Sequence, residues 1–323
     1  MFGIITTIAS IPSPSRNVIE LGPLDLNIYG LMIAFGVIAG VTLTQRRMNQ
    51  RGMNGELAGD IAVWAVPAGV IGARLYHVAT DWHRFTDNWF DIVKIWNGGL
   101  GILGGIIAGT AVGVWRVHKH GLPVLKMLNA AAPGLPLAQA IGRWGNWFNQ
   151  ELFGRPTDLP WALEIDEAHV QHLGPDFAGE SLFHPTFLYE SLWNFALVGV
   201  LLWIDKRRPV KPGRLMLLYL GGYAIGRLWI EAIRIDSATR VFDVRINLWI
   251  FGLVLAATVL ALIKLGIFGT ESEIVGEAAD DDTKAEAEDV DAEDADDTTE
   301  DSDSDSDEEE SAGDDALAGS DGG

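Results

Sequence analysis

Long apolar stretches separated by short polar loops make up most of the first 268 residues of the chain. A helix needs about 20 mostly apolar residues to cross a bilayer. The pattern therefore predicts an all-α polytopic membrane protein with about seven transmembrane helices. The predicted spans are residues 26–45, 57–79, 96–116, 124–146, 186–204, 214–233 and 246–268.

The fourth predicted span, residues 124–146, differs from the others because Pro133 and Pro136 interrupt it. Proline is tolerated inside a span when neighbouring helices or polar groups satisfy the freed backbone groups. Broken helices of this kind often line a cavity. We therefore expect a cavity beside this span.

The loops divide the chain into three predicted regions. Residues 1–25 form an N-terminal extracytoplasmic segment, and residues 26–268 form the seven-span membrane domain. Its longest loop, residues 150–184, is acidic and contains the sequence WALEI, which is typical of a short strand. We expect a small extracytoplasmic head there, followed after the last span by an acidic tail, residues 269–323.

The negative charge of the chain lies almost entirely in the tail. The net charge is −21, but residues 271–323 hold 25 acidic residues and one lysine, which leaves +3 on residues 1–270. The tail has no aromatic residue and cannot bury enough apolar surface to fold. We predict that it is disordered.

Basic residues also predict the orientation in the membrane. Three alternate loops, 45–56, 116–126 and 205–214, carry eleven lysines and arginines, whereas the opposite loops carry six. Loops rich in lysine and arginine face the cytoplasm. This rule places the N-terminus outside and the acidic tail in the cytoplasm.

Residues 142–155, with the sequence GRWGNWFNQELFGR, place an unusual number of polar groups at the end of an apolar segment. They include two arginines, two asparagines, a glutamine and a glutamate. Polar groups in or beside a membrane are costly, so they usually serve a function. A single arginine could be an interfacial anchor, but this density favours a polar site.

More polar residues lie near the predicted outer ends of other spans. They are Asn27 and Tyr29, Arg74 and His77, His184, and Tyr223, Arg227 and Glu231. The last three follow an i, i+4, i+8 spacing and share one helical face. Arg227 and Glu231 could alternatively form an ion pair that only holds helices together.

The other groups also have structural alternatives. Arg74 and His77 could be a packing pair, Tyr29 could belong to the interfacial aromatic belt, and His184 could cap a helix. In favour of a site, two or three arginines beside a membrane cavity suit a phosphate, because arginine donates paired hydrogen bonds and stays charged when desolvated. The candidate ligand is a phospholipid headgroup.

Composition excludes several chemistries. The chain has no cysteine, so it has no disulfide and no thiol nucleophile of its own. His169 and His172 are three residues apart, but no third ligand accompanies them, so we predict no metal site. The cytoplasmic loops lack a glycine-rich nucleotide motif. We predict no cofactor and no nucleic-acid partner.

Taken in order, these motifs resemble the prolipoprotein diacylglyceryl transferases, bacterial membrane enzymes that lipidate lipoprotein precursors. Residues 142–154 follow the family pattern G-R-x-G-N-F-x-N-x-E-x-x-G, with Trp147 in the aromatic position. The resemblance extends over residues 25–268. Further matches are Tyr29 with Gly30, residues 72–74 and 96–99, His184 with Pro185, Tyr189 with Glu190, and Tyr223, Arg227 and Glu231.

The resemblance implies a reaction in the bacterial plasma membrane. Phosphatidylglycerol gives its sn-1,2-diacylglyceryl group to the lipobox cysteine thiol of a prolipoprotein, a thioether forms, and glycerol phosphate leaves. The expected partners are thus phosphatidylglycerol, prolipoproteins with a lipobox cysteine, and the bilayer.

The resemblance also implies residue roles. Arg143 and Arg227 are the predicted catalytic residues, because fixed positive charge stabilises the negative charge that develops on the departing phosphate. Tyr29 and Asn146 would orient the headgroup, and Glu151 and Glu231 would hold arginines. The full predicted substrate-binding set is Tyr29, Arg74, Asn146, Asn149, Glu151, Gly154, His184, Tyr223 and Glu231.

One position departs from the family. Some members have a histidine a few residues after the W-x-G-G motif, whereas this chain has Leu103. Leucine cannot accept a proton, so we predict that it packs between helices and that no imidazole acts at this position. The base that activates the substrate thiol is not identified.

Two other classes of protein remain open at this point. A lipid or small-anion transporter would also have several spans with intramembrane arginines, but we find no internal repeat of the kind many transporters have. A non-catalytic membrane scaffold would explain the tail but not the motif series.

Overall fold

Long helices follow the predicted apolar stretches in the computed structural model, which describes residues 10–269 except 23, 87, 96 and 97. The acidic tail prediction concerns residues outside the described ones. In chain order the helices are α1 (Ile28–Gln50), α2 (Glu56–Thr80), α3 (Ile102–Lys119), α4 (Val124–Ala131), α5 (Gly134–Phe148), the short α6 (Glu167–Val170), α7 (Thr186–Arg207), α8 (Arg214–Ile233) and α9 (Ile246–Leu265).

Four of the described helices are long and apolar enough to cross a membrane, namely α1, α2, α7 and α9. The charged residues Arg227 and Glu231 lower the mean hydropathy of α8, and Arg116 and Lys119 do the same at the end of α3. The chain is thus a helical membrane protein, and the count of seven spans stays a prediction.

The predicted break in the fourth span is confirmed. Residues 124–146 form two helices, α4 and α5, which meet at Ala132 and Pro133. Since α5 has only 15 residues, it is too short to cross the membrane alone. The break brings Arg143 and Asn146 to the last turns of this short helix.

The prediction of an all-α fold was incomplete, because three two-stranded antiparallel hairpins accompany the described helices. Residues 24–27, which overlap the start of the first predicted span, lie in one of them. The short strand predicted in WALEI is confirmed. The strands are β1 (Val18–Leu21) with β2 (Leu24–Asn27), β3 (Leu163–Glu164) with β4 (Leu182–Phe183), and β5 (Arg240–Val241) with β6 (Val244–Arg245).

Glycines bring the helices close together. A Cβ atom on Gly72 of α2 would come within 2.6 Å of the Gly104 carbonyl of α3, and one on Gly40 of α1 within 2.7 Å of the Gly134 carbonyl of α5. Small residues of this kind let helix backbones touch in a membrane. The α1–α5 contact fixes the helix that carries the 142–155 motif.

The predicted packing role of Leu103 was wrong. Its side chain is 50% exposed, on the outside of the described helices. The neighbouring Gly104 takes the position against α2 instead, because only glycine fits the close approach there. Leu103 contributes apolar surface for lipid rather than packing between helices.

Two arginines of the predicted cytoplasmic loops are buried between helices. Arg47 is buried in α1, where it binds Asp205 of α7 at 3.2 Å and the Ala130 carbonyl at 3.0 Å. Arg116 is buried in α3 and pairs with Asp60 of α2. These arginines join helices in addition to any effect on orientation.

Residues 150–184, the predicted head, fold over a cluster of buried apolar side chains at the start of α7. Phe183 is fully buried in it, and partly buried Trp144 and Trp147 of α5 pack against it. The cluster consists of Phe153, Leu163, Ile165, Val170, Phe183 and Phe187. The head is thus attached directly to the end of α5, where the polar motif lies.

Candidate active site

Two arginines from different helices meet at one buried carboxylate. Arg143 Nε of α5 lies 2.6 Å from Glu190 Oε2 of α7, and Arg227 Nη1 of α8 lies 2.6 Å from Glu190 Oε1. Glu190 is 3% exposed. A buried carboxylate is stable only when paired, and here two guanidinium groups pair with it. The two predicted catalytic arginines therefore face one locus.

The network continues through Glu231, which is completely buried. Arg227 Nη2 donates to Glu231 Oε2 at 2.7 Å, so the predicted i, i+4 pair is present. Arg245 Nε and Asn247 Nδ2 donate to the other oxygen at 2.8 Å and 2.9 Å. Glu231 thus holds Arg227, as predicted, and links α8 to the start of α9.

Asp236 ends the network on this side. Arg234 donates to both of its carboxylate oxygens, at 2.7 Å and 2.9 Å, and Arg245 Nη2 lies 3.2 Å from Oδ2. Burial opposes ionisation of Asp236, but the hydrogen bonds and charge of these arginines outweigh it and lower the pKa of the carboxyl group. Asp236 is therefore ionised at neutral pH.

On the other side, the network runs through the amides of the motif. Arg143 Nη1 lies 3.4 Å from Asn146 Oδ1, and Asn146 Nδ2 donates to Glu151 Oε1 at 2.7 Å. Asn149 Nδ2 approaches the same oxygen at 3.3 Å. The prediction that Glu151 holds an arginine was wrong, because its described partners are these two asparagine amides.

The backbone conformation around Glu151 explains why its side chain points to the asparagine amides. Gln150 and Leu152 both have left-handed φ angles, of 49° and 61°. Such angles cost free energy in residues other than glycine, and strain of this kind clusters at functional sites. Gln150 is held by Asp166, which accepts from Nε2 at 2.6 Å. The tight turn directs Glu151 back towards Asn146 of α5.

Tyr29 joins the same group from α1. Its backbone N–H donates to Asn27 Oδ1 at 2.8 Å, which caps the helix, and its side chain lies near Asn146, Arg143 and Glu151. A Cβ atom on Gly145 would lie 2.5 Å from Tyr29 Cδ2. Glycine at this position therefore makes room for the tyrosine ring beside Asn146.

Gly154 fixes the connection between the motif and the next helices. Its N–H donates to the His184 carbonyl at 3.0 Å, and Arg155 N–H donates to the Ile233 carbonyl at 3.0 Å. A Cβ atom on Gly154 would lie 2.8 Å from His184 Cβ. Gly154 therefore acts through close backbone packing between the start of α7 and the end of α8.

His184 lies at the edge of the site, before α7. Its Nδ1 is 3.1 Å from the Tyr189 hydroxyl, which also accepts from Trp161 Nε1 at 3.0 Å. Burial, and then the charge of Arg155, lower the pKa of His184 below its ordinary value. The imidazole is therefore neutral at neutral pH.

Tyr223 reaches the network through an aromatic contact. Its ring packs edge-on against Phe251 of α9, with centroids 5.9 Å apart. The Arg227 guanidinium lies 5.4 Å from the centre of the same Phe251 ring. Phe251 therefore contacts both Tyr223 and Arg227.

Arg74 has a different environment. It donates to the backbone carbonyls of Asp91, Ile92, Gly98 and Gly99, with distances of 2.8 Å to Ile92, 2.6 Å to Gly98 and 2.9 Å to Gly99. Both glycines have left-handed φ angles, 82° and 74°. Within the described residues, Arg74 therefore holds the loop between α2 and α3 and is not hydrogen-bonded to the network.

The sequence reasoning missed five members of the network as site residues: Glu190, Arg234, Asp236, Arg245 and Asn247. Of these residues, only Glu190 was mentioned in the sequence analysis, as part of the Tyr189–Glu190 match to the family. The others lie at the end of one helix and the start of the next, where charged residues are ordinarily interpreted as interfacial. Nothing in their spacing shows that they meet.

Comparison with known proteins identifies the family of the chain. The family model described as prolipoprotein diacylglyceryl transferase matches residues 16–265. The chain belongs to this family. It is therefore a transferase of lipoprotein maturation and a multi-pass membrane protein, and the acidic tail lies outside the matched residues.

Curated relatives named phosphatidylglycerol–prolipoprotein diacylglyceryl transferase are similar over most of the chain. One from Frankia alni is 49% identical over 263 residues, which is 79% of this chain and 67% of the relative. One from Frankia casuarinae is 48% identical, and the match spans 62% of its length. One from Streptomyces griseus is 46% identical over 86% of this chain and 85% of the relative.

Proposed function

We propose that the chain transfers the diacylglyceryl group of phosphatidylglycerol to the lipobox cysteine thiol of a prolipoprotein. The thiol sulfur attacks the glycerol carbon that carries the phosphate ester. A carbon–sulfur bond forms, the carbon–oxygen bond breaks, and the thiol proton balances the new phosphate oxygen. The products are a thioether-linked lipoprotein and glycerol phosphate.

The observation that carries this proposal is the convergence of Arg143 and Arg227 on Glu190. Negative charge grows on the departing phosphate, and fixed cations stabilise it most when they need no reorganisation. Glu190 holds both guanidinium groups in fixed positions by pairing with them. The Arg143 side chain is 21% exposed and that of Arg227 is 8% exposed. Arg143 is therefore the more accessible to the lipid phosphate.

The amide groups beside Arg143 suit the orientation of the headgroup. The side chains of Asn146 and Tyr29 lie next to Arg143, and Glu151 fixes the Asn146 amide at 2.7 Å. An asparagine held in one orientation presents its donor and acceptor without loss of side-chain entropy on binding. We assign lipid orientation to Asn146 and Tyr29, and the support of Asn146 to Glu151.

Activation of the thiol needs no base from the chain in this proposal. The thiolate is the reactive form, and nearby positive charge lowers the pKa of a thiol. Arg143 and Arg227 supply such charge. Leu103 cannot accept a proton, and His184 lies at the edge of the network, joined to Tyr189 rather than to the arginines.

The direct test incubates the purified protein in nanodiscs with phosphatidylglycerol and a lipobox peptide. Mass spectrometry should show a peptide heavier by one diacylglyceryl group, and a peptide with serine in place of cysteine should stay unmodified. Movement of lipid between leaflets without any modified peptide would favour the transporter alternative instead.

We also propose the predicted topology. The N-terminus and the head, residues 150–184, would lie outside, whereas the tail would lie in the cytoplasm. The excess of basic residues in alternate loops supports this orientation. The active site would then open to the outer leaflet, where secreted precursors emerge.

Deletion of residues 271–323 is expected to leave the transfer rate within about two-fold of that of the full chain. The deletion removes a net charge of −24, but on the opposite side of the membrane from the proposed chemistry. Specific activity in nanodiscs, normalised to folded protein, measures the effect. A loss of much more than about two-fold would assign the tail a role in turnover.

The transfer rate should rise with pH towards the pKa of the substrate thiol and show no imidazole limb near pH about 6.5. The pKa of His184 lies below its ordinary value, so the neutral imidazole predominates above about pH 6.5. Because the folded protein favours the neutral form, protonation of His184 lowers the stability of the fold only as the pH falls below about 6.5. Rates from about pH 5.5 to about pH 9 for wild type, His184→Gln and His77→Gln provide the check. A limb near pH about 6.5 that either substitution removes would identify a histidine base.

A further inference from the structure

A cavity of about 310 Å³ lies at the far end of the helices from the active site. Tyr29 lies near the start of α1 and Arg47 near its end, about 27 Å further along the helix at 1.5 Å per residue. This distance is close to the thickness of the hydrocarbon core of a bilayer, about 30 Å. The cavity therefore belongs to the opposite membrane interface. Its wall consists of Arg47, Gln50, Arg51, Asp205, Pro209 and Val210.

Arg47 is fixed in the cavity wall by its neighbours. Its Nε and Nη2 donate to the carbonyls of Ala130 and Asn129 in the last turn of α4, each at 3.0 Å. Its Nη2 also lies 3.2 Å from Asp205 Oδ2 of α7. The residue is only 4% exposed. The guanidinium group is therefore held in one position, where three helices meet.

The charges on the cavity wall are not balanced. Arg51 Nη2 lies 2.6 Å from Asp205 Oδ1, so one carboxylate pairs with two guanidinium groups. Among the described residues, neither arginine has another acidic partner. The carbonyls of α4 offset part of the excess, but they carry no net charge. A partly buried excess cation is costly unless an anion approaches it, so the cavity favours an anionic occupant.

Hydrogen-bond donors remain for such an occupant. Within the part of the chain that the structure describes, Arg47 Nη1 and Arg51 Nε form no hydrogen bond, and neither does the side-chain amide of Gln50. Phosphate oxygens accept several charge-assisted hydrogen bonds from guanidinium groups. Phosphate is also the anion that phospholipids supply at a membrane interface.

The segments around the cavity are strongly basic. Residues 46–51 hold three basic residues, and residues 205–214 hold five basic residues and one acidic residue. Basic pockets between membrane helices bind the headgroups of anionic phospholipids. Pro209 and Val210 give the same cavity an apolar wall, which suits the glycerol ester part of a lipid better than a fully hydrated anion.

We propose that this cavity is a second lipid site, separate from the active site, which binds the phosphate of an anionic phospholipid in the opposite leaflet. That leaflet is the cytoplasmic one in the proposed topology. The bound lipid is not a donor for transfer, because the arginine network lies at the other end of the helices. It neutralises the excess charge between α1 and α7, whose other ends carry Tyr29 and Glu190.

A photoreactive phosphatidic acid with a diazirine close to its headgroup tests the proposal. The full-length protein is placed in phosphatidylcholine nanodiscs with a small fraction of this probe, and mass spectrometry locates the label after illumination and digestion. Residues 46–51 and 205–214 should be labelled at least about fivefold more than with a matched phosphatidylcholine probe. Inorganic phosphate in the buffer should not compete, because the bilayer concentrates the lipid at the site.

Two variants and a matched control locate the site. Arg51→Gln removes one charge from the wall, and Gln50→Glu adds a negative charge without removing an ion pair, so each should lower the labelling of these segments at least about fivefold. Arg46→Gln removes the same charge as Arg51→Gln, but from an exposed position on α1 outside the cavity wall. It should change the labelling by less than about two-fold, because salt screens an exposed charge. Labelling of residues 142–155 should stay the same throughout.

The possible outcomes separate a defined site from a basic surface. Equal labelling by both probes, or an effect of Arg46→Gln as large as that of Arg51→Gln, would show only diffuse attraction and would overturn the proposal. Loss of the label on addition of inorganic phosphate would assign the cavity to a soluble anion and would overturn the lipid assignment. If Arg51→Gln does not fold, Gln50→Glu decides the question, because it leaves both ion pairs of Asp205 in place. Since labelling requires no turnover, a negative result leaves the proposed transfer reaction untouched.

Discussion

Arg143→Ala is expected to slow diacylglyceryl transfer by about 10²–10³-fold while the protein stays folded and inserted. Arg143 is the more exposed of the two arginines on Glu190, so its loss removes a cation that reaches the lipid phosphate. Arg227→Ala should have a similar effect on the rate. Initial rates with phosphatidylglycerol and a lipobox peptide measure both.

Two further variants test whether the effect is specific to the Arg143 guanidinium group. Arg143→Lys should recover little activity, because an ammonium group cannot reproduce the paired hydrogen bonds of a guanidinium group. Arg240→Ala, at an exposed position in β5, should behave like wild type. Near-normal turnover of Arg143→Ala would mean that this arginine is structural and that the assignment is wrong.

Glu190→Gln is expected to reduce both stability and transfer. Glu190 is 3% exposed and binds two arginines, and removal of one partner from a buried ion pair typically costs about 3–5 kcal/mol. The freed arginines would lose their common position, so the rate should fall by at least about tenfold. Thermal unfolding in detergent and the transfer assay measure the two effects separately.

The matched control for this prediction is Glu180→Gln. Glu180 is an exposed residue of the head, and its substitution should change neither property. If Glu190→Gln were as stable and as active as wild type, the buried carboxylate would not organise the arginines. The proposed convergence at Glu190 would then have no functional meaning.

The sequence was sufficient to predict the long helices, because hydropathy and length together decide which segments suit a bilayer. It also predicted the break in the fourth span from Pro133 and the strand in WALEI. It did not predict the hairpin of β1 and β2, because these strands have only four residues each and the second one directly adjoins α1.

Side-chain partners were harder to predict than helices. Glu190 lies near the start of the mostly apolar helix α7, and no spacing rule connects it to arginines on two other helices. Glu151 was assigned to an arginine, but the left-handed turn at Gln150 and Leu152 directs it to Asn146 instead. The orientation of such side chains depends on the tertiary geometry of the backbone, which local sequence patterns do not predict.

The measurement that tests the central claim most directly follows both halves of one lipid. Phosphatidylglycerol would carry deuterium in its diacylglyceryl part and heavy carbon in its headgroup, and mass spectrometry would follow both labels during turnover with a lipobox peptide. We expect the peptide to gain only deuterium and the heavy carbon to leave as glycerol phosphate in equal amount. A peptide that gains a single acyl chain, or that carries the headgroup label, would contradict the proposed displacement at the glycerol carbon.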